Sequence, residues 1–460
     1  MRIVIKRLPS SILLVGPLAV LLAASAAVAE EAAPESVEVV VDTPALDDES
    51  LTIDEAVTLA LVNNLDLRIA RAARDQARYD DWNAWTGFLP RVSGQILYND
   101  YDGYSAQYGV PGEYDMQTFA TSLTISQPLF NGGAIYWGKV MAGAGEDISE
   151  LSLKAARQSA ILTARAAYLD LLMARDFHLV QLSNYEILEQ HTELSRAQAE
   201  VDLISRAEML RSESELAEAE KSLLSAQNAL RLARANLANV LGAELSDELE
   251  LKALEVDSEP PNLGLREAQS LAREANPGLE IARKSERLAE AEVGLTASAF
   301  WPKLNLSADY GWTQGEELTF SKETDYWSVS AILSVDLFTS TGRLAEMKSA
   351  RASQRQTELE SLQAEREIML AVEAAYLALE EAVAQIAVSE KQLAAAQEAM
   401  ELSEGLYEND IISNVEYLDM NQTYLLAQLG EINSRYAYLK ARDSLDSLLG
   451  RLRAPDTVTD

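Results

Sequence analysis

The 460-residue chain has no cysteine and only two histidines. Without thiols it can build neither a disulfide framework nor a thiolate metal site, and it carries no cysteine to lipidate. His178 and His191 stand thirteen residues apart on one helical stretch, too far for the i, i+4 pair of a helical metal site. They read as solvated helix positions. Positive charge is scarce as well: 38 Lys and Arg oppose 73 Asp and Glu, for a formal net charge of −35. Such a chain offers nucleic acid no phosphate-neutralising surface, and its walls repel anions and attract cations. Acidic pairs are common, but none has a histidine, lysine or hydroxyl at a spacing that makes a catalytic constellation. Neither an enzyme nor a cofactor nor a resident metal is expected.

Long apolar runs are missing too, apart from the N-terminus. Arg2, Lys6 and Arg7 precede an apolar run from Ile12 to Val28 and an Ala27-Val28-Ala29 site, so residues 1–29 read as a secretory signal. Its removal takes the charge from −35 to −38. After it no run of about eighteen apolar residues occurs, so no transmembrane helix is expected. Residues 30–50, acidic and holding Pro34 and Pro44, read as a solvated linker.

What the chain does have is alternation. In Phe119–Phe130, Phe119, Thr121, Leu123 and Ile125 alternate with Ala120, Ser122, Thr124 and Ser126. In Trp327–Phe338, Trp327, Val329, Ala331, Leu333 and Val335 alternate with small polar residues, with Ile332 out of pattern. A period of two with one dry and one wet face predicts strands. Each has a partner upstream: Val92, Ile96 and Tyr98, with Leu97 out of place, and Leu304, Leu306, Ala308, Tyr310 and Trp312. Strands of about ten residues cross a bilayer when tilted. Four cannot close a barrel, and an open edge in lipid leaves backbone groups unpaired, so hairpins in a membrane demand several copies. The loops, Tyr101–Tyr114 and Thr313–Asp325, are polar and longer than tight turns. All six tryptophans lie in or beside the strand segments, as interfacial girdles require.

The chain is also a tandem duplication. Asn64 matches Asn276 and Leu89-Pro90 matches Trp301-Pro302 at an offset of 212 positions. From Leu129-Phe130 onward the offset is 208, carrying Ala167-Tyr168 to Ala375-Tyr376, Ser205 to Ser413 and Gly242 to Gly450. The first repeat, 51–244, opens with a Thr52–Glu55 capping box and a helical pattern to about Phe88. A hairpin at about 91–129 follows, then two long helices with a tip near 202–205. A connector, 245–263, has room for a short strand. The second repeat, 264–450, has its hairpin at about 303–337 and its tip near 410–413, and 451–460 is a short tail. Met209, Leu216, Leu223, Leu230 and Leu237 recur every seventh residue, as do Val372, Leu379, Ile386, Leu393, Met400 and Tyr407. These are coiled-coil seams.

Two motifs invite chemistry. Gly133-Ala-Ile-Tyr-Trp-Gly-Lys139 has phosphate-loop spacing, but Val140 stands where a hydroxyl is needed and two aromatics crowd the cradle, so it reads as a strand-to-helix exit. Asp202-Leu203-Ile204-Ser205 with Glu208 aligns with Asp410-Ile411-Ile412-Ser413 with Glu416. Each ends in a capping box where the chain must reverse. Asp419, one turn on, has no capping role.

On the duplicated hairpin, Gln127-Pro-Leu-Phe-Asn-Gly-Gly133, the Ala-Tyr-Leu triplets at 167 and 375, and the spacing Tyr407, Asp410, Ser413, Glu416, Leu418, the mature chain resembles the TolC family of outer-membrane efflux proteins. The resemblance implies an α+β membrane protein. It would be a homotrimer in which three sets of four strands form a twelve-stranded barrel in the outer membrane, continued into the periplasm by an α-helical tunnel. It implies a passive exit duct of a tripartite efflux or type I secretion system. Acidic rings at the tunnel entrance map to Glu416 and Asp419. The tips, Asp202–Ser205 and Asp410–Ser413, would dock a periplasmic adaptor protein that links to an inner-membrane pump. The sequence departs from the family in placing Asp202 and Asp410 where a tip glycine is usual. The alternative from composition and periodicity is a secreted coiled-coil structural or adhesive protein whose strands form a soluble β-domain.

Overall fold

The computed structural model describes residues 50–105, 112–246, 249–254, 258–314, 325–409 and 411–452. The signal, the linker as far as residue 49, the middles of both hairpin loops, Asp410 and the tail beyond 452 lie outside the described residues. The chain divides into two units, Met1–Pro44, outside that description, and Ala45–Asp460, which holds every element below. In chain order these are β1 (Ser50–Leu51), α1 (Ile53–Asn63), α2 (Leu65–Thr86), β2 (Arg91–Ser105), β3 (Gly112–Asn131), α3 (Ala134–Glu200), α4 (Arg206–Leu241), β4 (Glu250–Leu251), α5 (Leu265–Ala275), α6 (Pro277–Ser298), β5 (Lys303–Gln314), β6 (Asp325–Ser334), α7 (Gly342–Glu408) and α8 (Asn414–Leu448).

Thr52 and Glu55 form the expected reciprocal cap at the start of α1. The helical pattern expected to run unbroken to about Phe88 is two helices. Asn64 leaves helical geometry at ψ 122° and its side chain accepts the Leu67 N–H at 2.9 Å, capping α2. Asn276 does the same for α6 by accepting from Gly278, with Pro277 at the first helical position. A short polar side chain that hydrogen-bonds its own backbone competes with the helix, and here it ends one and begins the next.

The four long strands form one antiparallel sheet in the order β2-β3-β5-β6. β2 and β3 run to 15 and 20 residues, longer than the ten expected, and pair as far as Ser105 with Gly112. Most of the polar stretch taken as the first loop is therefore strand, because backbone pairing continues where side-chain alternation fades. Register keeps the faces in phase across all four strands. Ile96 opposes Thr121, Thr121 opposes Trp312, and Leu123 opposes Tyr310, which opposes Trp327. The other face is a ladder of short polar groups: Thr124 donates to Asp309 at 2.6 Å, Ser328 to Asp309 at 3.2 Å, and Ser307 meets Ser330 at 2.7 Å. Thr121 is buried on the apolar face, its hydroxyl without a hydrogen-bond partner. β2 and β6 are the edges.

Gly132 and Gly133 make the exit into α3, at φ +69° and +88°. A Cβ on Gly132 would lie 2.2 Å from the Ser298 carbonyl oxygen, so the close approach needs glycine. Lys139 of the phosphate-loop spacing is bound to Asp81 at 2.5 Å, as a strand-to-helix exit allows.

α3 and α7 are each 67 residues, about 100 Å at 1.5 Å per residue. Each folds back on a shorter partner, α3 on α4 and α7 on α8. The main core lies where α1, α3, α4, α5, α7 and α8 converge, around Ile161, Tyr168, Leu172, Leu237, Val372 and Leu439. There β1 and β4 pair in parallel, the connector strand the sequence left room for. Tyr168 is wholly buried, its hydroxyl donating to the Leu51 and Lys252 carbonyls at 2.8 and 2.9 Å, and burial pushes its pKa up to about 12. Among the described residues no helix is long and apolar enough to cross a membrane.

Candidate functional site at the helical tips

At the far end of each hairpin the chain reverses in a few residues. After α3, the Asp202 N–H bonds the Ala199 carbonyl at 3.2 Å and the Leu203 N–H bonds that of Gln198 at 2.9 Å, a Schellman closure. That closure needs a left-handed residue, and Asp202 takes it at φ +61°. Aspartate tolerates this conformation because its short side chain hydrogen-bonds locally, so the backbone turns here as it would with glycine. At the second tip the Ile411 N–H bonds the Leu406 carbonyl at 2.9 Å, the counterpart of the Leu203 bond.

Ser205 and Ser413 then cap α4 and α8 through the same box, accepting from Glu208 and Glu416 N–H at 3.3 Å and receiving those carboxylates at 2.8 Å on their own N–H. The Glu416 carboxylate is held by Ser413, and those bonds keep its pKa below the ordinary value. Asp419 is exposed one turn further, and its carbonyl accepts from Thr423 at 2.9 Å. Leu203 and Ile411 are 72% and 68% exposed, while Ile204 and Ile412 are half-buried, Ile412 against the aromatic cluster below.

The structure brings both tips to one place through side chains that sequence reading passed over. His191 is not solvated: it is 5% exposed, stacked on Tyr417 at 4.4 Å between ring centroids and beside Tyr407 at 5.0 Å. Its Nε2 meets the Asn414 Oδ1 at 2.7 Å, and burial lowers its pKa. Asn414, the first residue of α8, also donates to the Glu208 carbonyl at 3.1 Å and to the Ser212 Oγ at 3.0 Å. One amide thus joins the start of the second repeat's last helix to both helices of the first hairpin. His178 is half-buried.

This node ends a line of polar contacts running the length of α3 against α8. From the core outward Arg165 grips Asp443 at 2.7 and 3.0 Å, Asp170 meets Lys440, Asp176 accepts from Tyr436 at 2.7 Å, and Asn421 donates to Asn184 at 2.9 Å. A signal for it exists in the sequence. At the offset of 208, His191 corresponds to Ala399, Tyr407 to Ala199, Tyr417 to Met209 and Asn414 to Arg206. The node is made of positions where the repeats differ.

Such a site is a mechanical join and a charged, partly apolar rim. Among the described residues no group of histidine and carboxylate side chains could hold a metal ion.

The chain matches the outer membrane efflux protein family over residues 56–243 and again over 268–451, once in each repeat. It is 26% identical over 321 residues to Protein CyaE of Bordetella pertussis, spanning 68% of this chain and 66% of that one. Among solved structures it superposes on the CmeC outer membrane channel of Campylobacter jejuni with a TM-score of 0.80 at 18% identity, covering 87% of this chain and 85% of that one. On the outer membrane protein VceC of Vibrio cholerae the TM-score is 0.78 at 17% identity, covering 86% and 96%. With both repeats matched, the chain belongs to the outer membrane efflux protein family.

Proposed function

We propose that three copies join edge to edge as a twelve-stranded barrel in the outer membrane, with the paired helices forming a tunnel into the periplasm. The observation that carries this is the sheet: four strands hold one apolar face in phase, and among the described residues nothing pairs with the outer edge of either edge strand. The duct is passive, with no chemistry of its own. At its inner end Glu416 and Asp419 of three copies form acidic rings, which draw cations and resist close approach. Asp202–Ser205 and Asp410–Ser413 receive a periplasmic adaptor coupled to an inner-membrane pump of an efflux or type I secretion system, and exposed Leu203 and Ile411 supply apolar contact for it.

Replacing Asp419 with Ala is expected to raise single-channel conductance in planar bilayers. An unchanged conductance from an intact assembly would remove Asp419 from the constriction. A purified protein that stays a lone subunit in detergent would overturn the barrel itself.

A further inference from the structure

The duplicated chain contains its own template for how one copy meets the next. β5 is the counterpart of β2 at an offset of 212, and β6 that of β3 at 208. These offsets carry the register of the first hairpin onto the second: Arg91 opposite Ser126 becomes Lys303 opposite Ser334. Among the described residues the one junction of the other kind inside one chain is β3 with β5, where Thr124 opposes Asp309 and donates to it at 2.6 Å. The junction between copies is β6 of one with β2 of the next. Shifting Thr124 by 208 gives Ile332, and shifting Asp309 back by 212 gives Leu97.

Those two residues are the anomalies of the sheet. Ile332 and Leu97 are large aliphatic side chains on its polar face, 56% and 44% exposed, each on an edge strand; Tyr326 on the same face carries a hydroxyl. The face requirement alone allows every second register. Only one places the two anomalies directly opposite, and it is the one the duplication dictates. The pairs around them agree: Leu333 falls opposite Ile96 and Ala331 opposite Tyr98 on the apolar face, Ser330 opposite Asn99 and Ser334 opposite Gln95 on the polar face.

We infer that a second copy of this chain pairs its β2 against β6 in the register that sets Leu97 of one copy against Ile332 of the other. This rests on the barrel reading above and deepens it. The physical logic is a contrast of seams. Thr124 and Asp309 meet within one chain and need only a satisfied hydrogen bond. The same position between chains must be made by association, and two apolar side chains leaving water together favour that where a buried carboxylate would not. A tight apolar pair facing the wet interior also marks the register against slips by two residues, which polar neighbours alone would tolerate.

The natural absence of cysteine makes the test clean. Within one chain Leu97 and Ile332 are separated by three strand spacings, roughly 14 Å, across the sheet and by eight residues, roughly 27 Å, along it, far beyond disulfide reach. In full-length protein in detergent, the double variant Leu97→Cys with Ile332→Cys is expected to give covalent two- and three-chain products on oxidation. Leu97→Cys with Ser330→Cys, or with Ser334→Cys, samples the neighbouring registers and should link far less. If the assembly forms by light scattering but a neighbouring pair links best, or no pair links, the register is wrong and the barrel stands. If light scattering finds a single copy and nothing links, the barrel reading falls and this inference with it. As a second readout, Leu97→Lys or Ile332→Asp alone should lower the temperature at which the assembly dissociates, and the combined variant should restore it. No restoration overturns the pairing.

Discussion

Two kinds of seam run along the helices, and they differ in which chemistry dominates. Within a hairpin, α7 against α8 or α3 against α4, the contact is dominated by Val372, Leu379, Ile386, Ala219 and Leu237, all buried, with isolated hydroxyl contacts such as Ser389–Ser434 and Ser195–Ser212. Between hairpins, α3 against α8, it is a ladder of charged and amide groups from Arg165–Asp443 to His191–Asn414. Apolar packing is non-directional and roughly proportional to area, so it holds the hairpins closed but fixes their register only loosely. Polar pairs are satisfied in one arrangement and costly in any other, so they fix how the hairpins sit side by side.

The largest effect expected on this contrast comes from Arg165→Met. It leaves the Asp443 side chain, 6% exposed, without its bidentate partner. Loss of one partner from a buried pair costs about 3–5 kcal/mol in chemical denaturation. Adding Asp443→Leu should recover most of that loss, because an apolar pair of similar volume replaces a buried ion pair at little cost. If the double variant were as unstable as the single one, the ladder would be a source of stability rather than of register. Leu237→Ala comes next, at about 3 kcal/mol, from lost burial and the cavity left at a fully buried site. No second substitution across the seam should rescue it as cleanly.

The smallest effect is that of pH on the node. Burial holds the His191 pKa below its unfolded value of 6.5. The unfolded chain therefore binds a proton more readily, and the stability His191 contributes is complete above about pH 6.5 and falls as pH drops below it. Protection factors for amide exchange at the tips, corrected for the intrinsic rate at each pH, should fall between pH 7.5 and 5.5, and His191→Gln should flatten that change. An equal change in the variant would show that other groups carry it.

Much of this molecule is written locally. Thr52 with Glu55, Ser205 with Glu208 and Ser413 with Glu416 are capping boxes three residues long, and each forms as the sequence predicts. The strand faces follow from a two-residue period, and the positions that break it, Leu97 and Ile332, are visible in the sequence as breaks. The break at Asn64 was also legible in principle, as an asparagine opposite Asn276 before a helix start, yet continuous helical periodicity on both sides concealed it.

The sequence by itself determined the repeat, the alternation of the strands, the caps and the reversal at Asp202, because each depends on residues a few positions apart and on backbone preferences they carry with them. Only the tertiary structure decided that His191 is buried, that Asn184 faces Asn421 and that one amide at 414 ties both hairpins. Those partners are more than two hundred residues apart. Their meeting depends on the relative rotation and axial position of two long helices, which small errors in helical phase, accumulated over many turns, place beyond any local pattern.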